Sequence, residues 1–217
     1  DDGNASVLTQ EGTRILSVGK YGELQLRDAR TLSLLGVAKI NKGANALVAV
    51  AARRDGGPIA VAEESGDIYL VDAATLVAFK RLGNGGRFVK RLEFSPDGAL
   101  LLSDGISGGA SGFDLWNLAG SYASRVNPSV GRLLWAGFSS GGSRIVACGD
   151  KGIEVYDAKS SARVAAAEEA VKGACSLSPD GSLLAAALAG RKDSGASALA
   201  LLACRLDDGA AVFPITP

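Results

Sequence analysis

The chain has 217 residues, of which 47% are hydrophobic, with 29 glycines and 6 prolines; this is the composition of a folded, turn-rich protein and excludes disorder and a collagen-like repeat. Lysine plus arginine equals aspartate plus glutamate at 23 each, so no whole-protein field draws the chain to nucleic acid or to an anionic membrane. No apolar run approaches the roughly 20 residues that span a bilayer, and the three scattered cysteines, Cys148, Cys175 and Cys204, form no CxxC pair, which predicts reduced thiols in a cytoplasmic or otherwise intracellular setting.

An internal repeat organises the rest. Gly12, Gly56, Gly98, Gly142 and Gly181 lie 44, 42, 44 and 39 residues apart, and three positions after each stands Ile15, Ile59, Leu101, Ile145 or Leu184. The first unit, about 5–43, opens on a strand at 5–9 and alternates Leu24 and Leu26 ahead of Asp28. The second, 44–85, turns at Arg54-Asp55-Gly56-Gly57 and alternates Ile68 and Leu70 ahead of Asp72. The third, 86–129, turns at Ser95-Pro96-Asp97-Gly98 and alternates Phe113 and Leu115 ahead of Asn117. The fourth, 130–170, turns at Ser140-Gly141-Gly142 and alternates Ile153 and Val155 ahead of Asp157. The fifth, 171–217, turns at Ser178-Pro179-Asp180-Gly181, alternates Cys204 and Leu206 ahead of Asp208, and closes on a strand at 212–216.

Proline presets φ in these turns and glycine supplies a positive φ, while period-two alternation marks strands. Each unit therefore reads as four antiparallel strands. A thin four-stranded sheet cannot bury both its faces alone; stacking such sheets about an axis buries them and leaves only short edges. The expected fold class is all-β, a β-propeller of four-stranded antiparallel blades, with five recognisable blades in one domain spanning 1–217. Five blades either close as a small ring or form most of an open one, which blades outside the sequence or a partner strand or blade would complete. With no methionine and a start at Asp1, the sequence is expected to belong to a trimmed or longer chain.

Phe94-Ser95-Pro96-Asp97-Gly98, Asp114-Leu115-Trp116-Asn117 and Ile153-Glu154-Val155-Tyr156-Asp157 resemble the first-turn and strand-end signatures of the WD-repeat (WD40-like) family, over essentially the whole chain. Val71-Asp72-Ala73-Ala74-Thr75 also resembles the bacterial YVTN-type propeller, the second choice. The chain has no histidine, so the family's Gly-His element is missing, and its buried Asp-His-Ser-Trp network is expected to be missing with it. The resemblance implies a non-catalytic scaffold for other protein subunits, with recognition on the face made by blade-to-blade connections and by the loops between second and third strands. The candidate residues there are Lys20, Tyr21, Lys42, Arg87, Ser107, Lys151, Lys172, Arg191 and Lys192. Glycine-to-aspartate gaps of 16, 16, 19, 15 and 27 residues place insertions at 107–112 and 191–197, where a partner-specific surface would arise most cheaply.

Chemistry-bearing constellations are few. Without histidine there is no Ser-His-Asp or Cys-His arrangement and no imidazole general base, so no catalytic residue, metal site or cofactor is predicted. Glu63-Glu64, Glu168-Glu169 and Asp207-Asp208 are strand neighbours that point to opposite faces and read as solvated surface, and the cysteines, in separate units, read as buried apolar thiols. Lys80, Arg81, Arg87, Lys90 and Arg91 bracket Gly83-Asn84-Gly85-Gly86, a pattern that can cradle an anion or phosphoinositide; this is one alternative function. The other is a bacterial-type ligand-binding or hydrolytic propeller holding a metal or cofactor in a central channel.

Overall fold

The computed structural model describes residues 3–9, 11–43, 45–84, 86–120, 122–168, 171–178, 183–188 and 200–205. They form five antiparallel sheets, each built from strands consecutive in the chain. The first sheet holds β1 (Gly3–Leu8), β2 (Arg14–Gly19), β3 (Glu23–Asp28) and β4 (Leu34–Lys39). The second holds β5 (Leu47–Ala52), β6 (Ile59–Glu63), β7 (Asp67–Val71) and β8 (Ala78–Asn84). The third holds β9 (Phe88–Phe94), β10 (Leu100–Ser107), β11 (Ala110–Asn117) and β12 (Tyr122–Val126). The fourth holds β13 (Leu133–Phe138), β14 (Arg144–Gly149), β15 (Gly152–Asp157) and β16 (Arg163–Ala167), and three strands of the fifth are described, β17 (Val171–Leu177), β18 (Leu183–Leu188) and β19 (Ala200–Arg205). The strand expected at 212–216 lies outside the described residues. A short 3-10 turn, Ile40–Gly43, leads from the first sheet to the second. Among the described residues no helix is long and apolar enough to cross a membrane.

Backbone contacts gather the chain into two units, Asp1–Gly109 with Phe113–Arg125, and Ala110–Gly112 with Val126–Pro217. In the first, the opening strands β1, β5 and β9 of successive sheets approach one another, while apolar residues of the fourth strands, such as Leu35, Val37 and Phe79, are exposed. Sheet two is packed on both faces. Val50, Ile59, Val61 and Val71 meet Leu16, Val18, Leu24 and Leu26 of sheet one, and Ala49, Ala51, Ala60, Ala62, Ile68 and Leu70 meet Leu92, Phe94, Leu101 and Trp116 of sheet three. Strand alternation divides one sheet between two neighbours, which is why β6 is buried at every position and reads as a continuous apolar run. In the second unit, Val146, Cys148, Ile153 and Val155 of sheet four pack against Val171, Cys175, Leu184 and Ala186 of sheet five.

The landmark aspartates close the turns into the fourth strands. Asp28 Oδ1 accepts from the amides of Arg30 and Thr31 and from the Thr31 hydroxyl. Asp72 does the same with Ala74 and Thr75, and Asp157 with Lys159 and Ser160. The next residue, Leu32, Leu76 or Ser161, is left-handed at φ 60°, 57° or 59°, and its amide returns to the aspartate carbonyl. One Asp-x-x-Thr/Ser turn thus recurs three times, with Asn117 in the corresponding place in sheet three bonding the amide of Ala119.

Hydrogen bonds to these charged oxygens hold the carboxyls of Asp28, Asp72 and Asp157 below the ordinary aspartate range, and the Ser95 hydroxyl does the same for Asp97. A carboxylate depressed by folding stabilises the fold above its unfolded pKa, and that stabilisation is lost as pH falls through the folded value. Unfolding free energy is therefore expected to be level above about pH 5 and to drop steadily below about pH 4, as read from urea melts across that range. A melt midpoint that does not move on acidification contradicts the capping role.

Candidate functional site

The turns between second and third strands meet the connections between sheets, as backbone hydrogen bonds show within each unit. Ile40 N donates to Gly22 O at 2.9 Å and Glu64 N to Ala46 O at 2.9 Å in the first, and Lys151 N donates to Val130 O at 2.9 Å and Asp150 N to Arg132 O at 3.2 Å in the second. At this end of the first unit lies a cavity of about 480 Å³ lined by Lys20, Ala46, Val48, Glu64, Phe88, Val89 and Lys90. Three sheets contribute: the β2–β3 turn gives Lys20, the start of β5 and the β6–β7 turn give Val48 and Glu64, and the start of β9 gives Phe88 to Lys90. Lys20, Glu64 and Lys90 are exposed, and Phe88, 46% exposed, presents apolar surface between them.

The wall carrying Glu64 is fixed by a buried polar cluster. Glu63, expected at the solvated surface, is only 3% exposed: Leu47 of β5 pairs beside it in the sheet and the Asn41 side chain reaches it from the connecting turn. Its carboxylate accepts from the Asn41 amide, from the Ser65 hydroxyl at 2.7 Å and from the Tyr69 hydroxyl at 3.5 Å. Burial alone would raise the Glu63 pKa, and the hydrogen bonds from Asn41 and Ser65 reverse this and hold it below the ordinary glutamate range. Burial, then the Glu63 and Asp67 charges, push the Tyr69 phenol up. Asp67, 7% exposed, is matched by Arg81 at 2.6 Å. Asn41 and Lys42 both take left-handed backbone, φ 46° and 58°, a conformation asparagine tolerates better than lysine; it brings the Asn41 side chain onto Glu63 and leaves Lys42 exposed.

The candidate residues are dispersed by their surroundings. Lys20, Tyr21, Lys42 and Lys151 are exposed on turns or connections. Arg87 is not available to a partner: it is 3% exposed and its Nε lies 3.4 Å from Asp114, because it immediately precedes β9 and faces into the sheet. Ser107, half-buried, ends β10. The insertion expected as a loop at 107–112 is instead a longer hairpin, in which β10 and β11 have eight residues each and Gly108 and Gly109, φ 56° and 82°, make the turn. Paired positive-φ glycines give the turn whose twist matches its flanking strands. Lys172 lies within β17, and Arg191 and Lys192, with the insertion at 191–197, lie outside the described residues.

The five cations of the Gly-rich segment do not converge. Lys80 donates to the carbonyls of Leu118 and Gly120, Arg81 pairs with Asp67, Arg87 faces Asp114, and Arg91 sits between Glu93 and Asp104 at 3.2 and 3.3 Å. Lys90 alone of the five lines the cavity. Among the described residues no group of three or more histidine, cysteine or acidic side chains could hold a metal ion.

A serine–tryptophan hydrogen bond, expected to be missing along with histidine, is present. Trp116 Nε1 donates to Ser103 Oγ at 2.9 Å in the buried core of sheet three, without any histidine. Two residues before Trp116, Asp114 is 1% exposed and lies between Arg87 and Arg125, the latter at 2.9 Å. Sheet four repeats the plan with Glu154, which accepts from Ser129 N at 3.0 Å, Tyr156 at 2.5 Å and Arg163 at 2.6 Å. Burial would raise the Glu154 carboxyl, and these donors lower it; burial and the adjacent carboxylate push the Tyr156 phenol well up. An acidic residue on the third strand gripped by an arginine of the fourth, Asp114–Arg125 and Glu154–Arg163, is a signal the sequence carried but periodicity did not reveal.

No known protein family matches the sequence, and no curated protein does. Among solved structures, the Kuenenia stuttgartiensis hydrazine synthase is similar over 94% of this chain and 61% of that one, at 16% identity and TM-score 0.74. The β-propeller domain of Myceliophteria thermophila Cps50 (Swd1) is similar over 99% of this chain and 69% of that one, at 12% identity and TM-score 0.75. The chain thus spans less than two thirds of the hydrazine synthase chain, and at these identities the likeness establishes a propeller-type fold alone.

Proposed function

We propose that this chain is a non-catalytic protein-interaction scaffold of WD-repeat-like type, a subunit of a larger assembly, and that the cavity at Lys20, Val48, Glu64, Phe88 and Lys90 is where a partner segment docks. The observation that carries this reading is the composition of the lining: the apolar side chains Val48, Phe88 and Val89 together with the exposed charged groups Lys20, Glu64 and Lys90. Apolar concavities with a few polar groups at the rim bind side chains of a partner and orient them. The rim is cationic. Lys20 and Lys90 outnumber Glu64 there and Lys42 is exposed on the connection, while of the adjacent acids Asp67 is matched by Arg81 and Glu63 is buried at 3% exposure. The matching partner is an extended segment with one large apolar residue between carboxylates.

A fluorescein-labelled peptide with one phenylalanine flanked by glutamates is expected to bind, and its lysine-flanked counterpart is not. Combining Lys20→Glu with Lys90→Glu should weaken binding by about tenfold or more without moving the thermal melt. Equal binding of both peptides, or an unchanged affinity in the double variant, overturns the assignment of this cavity.

A further inference from the structure

Val146 and Cys148 lie two apart on β14 and so share a face, the one covered by sheet five, where Val171, Cys175 and Leu184 meet them. Neither cysteine is in a disulfide, both are buried, at 0% and 6% exposure, and they share one buried apolar cluster between the two sheets. Donation from the Cys148 thiol lowers the Cys175 pKa against the opposing effect of burial, which favours thiolate on Cys175, the partner nearer solvent. Cys175 also sits on β17, which pairs on one side only, with β18, and whose register slips between Val171 and Cys175. Bond formation requires the sulfurs to close to about 2.05 Å, and a strand held from one side at an irregular point is the kind of element that can make that approach.

We infer that Cys148 and Cys175 form a thiol–disulfide modification site that links the fourth and fifth sheets when the protein meets a small disulfide oxidant. Cys175 thiolate attacks one sulfur of the small disulfide, the S–S bond of the reagent breaks, and one reagent thiolate leaves. Cys148, losing its proton to that thiolate, then attacks the Cys175 sulfur and expels the second reagent thiolate, which takes up the proton released when Cys175 ionised. Two protein thiols are oxidised by two electrons and one reagent disulfide is reduced to two thiols. The link closes a loop with 26 residues between the two cysteines, β15 and β16 among them, and restricting that loop in the unfolded chain raises stability.

Native protein treated with 2-hydroxyethyl disulfide, alkylated, digested and mapped by mass spectrometry is expected to yield a Cys148–Cys175 linked peptide. The thiol titre should fall by two, and the thermal midpoint should rise by roughly 5–10 °C, both reversed by reductant. The Cys148→Ser variant should stop at a mixed disulfide on Cys175; the mapping of the unmodified sequence stands whether or not that variant folds. A crosslink that uses Cys204, a mixed disulfide that persists on Cys175 with Cys148 still reduced, or an unchanged thiol titre in the native protein would each overturn the assignment.

Discussion

Asp114→Ala is expected to lower the unfolding free energy by about 3–5 kcal/mol, read as a shift of the urea midpoint at constant slope. The carboxylate is 1% exposed and faces Arg87, whose side chain is 2% exposed, so removing it leaves a guanidinium in a place water does not reach. Arg125, at 38%, can turn to solvent and contributes less. Asp114→Asn keeps the shape and one acceptor and should cost less than the alanine. The cause is separable from packing by a second change: with Arg87→Met added to Asp114→Leu, no buried ion remains and most of the loss should return, since well-packed apolar groups replace buried ion pairs at little cost. A loss below about 1 kcal/mol for the alanine variant would mean the pair is solvated and the buried geometry is wrong.

The second large effect is expected at Trp116. Its indole is 2% exposed, is packed among Phe94, Leu101 and the alanines of sheet two, and donates to Ser103. Trp116→Ala removes the largest side chain buried among the described residues and should cost about 3–5 kcal/mol. Trp116→Phe fills most of the space and forfeits the hydrogen bond, for about 1–2 kcal/mol. Circular dichroism in urea ranks the two. If phenylalanine proves as damaging as alanine, the Ser103 contact dominates; if both are silent, Trp116 does not join sheets two and three.

The order of strands was legible because both halves of its code are local. Glycine spacing marks the turns, and Leu24/Leu26, Ile68/Leu70 and Ile153/Val155 mark third strands whose inward residues are buried. What alternation cannot reveal is which neighbour a buried side chain meets. Glu63 reads as surface beside Glu64, yet one is covered and the other exposed, because a turn some 20 residues earlier supplies Asn41. Arg87 reads as a loop cation because Asp114, its counter-charge, lies on a different strand of the sheet. Cys148 and Cys175 read as unrelated because strand patterning says nothing of packing between sheets. At the cavity, Lys20 was legible as a turn residue; Val48, Phe88 and Val89 were not, since they look like ordinary strand residues until three sheets bring them to one rim.

Sheet two presents different textures to its two neighbours. Toward sheet three it shows Ala49, Ala51, Ala60 and Ala62 opposite Trp116 and Phe94; toward sheet one it shows Val50, Ile59, Val61 and Val71 opposite leucine and valine. Small residues are the counterpart of large aromatic ones across a gap of fixed width. Odd and even positions of a single strand such as β6 therefore obey separate volume rules: Ala60→Val would crowd the aromatic side while Val61→Ala would hollow out the aliphatic one. Sheet two is consequently not an interchangeable cassette, because it is cut to fit the particular pair of walls it stands between.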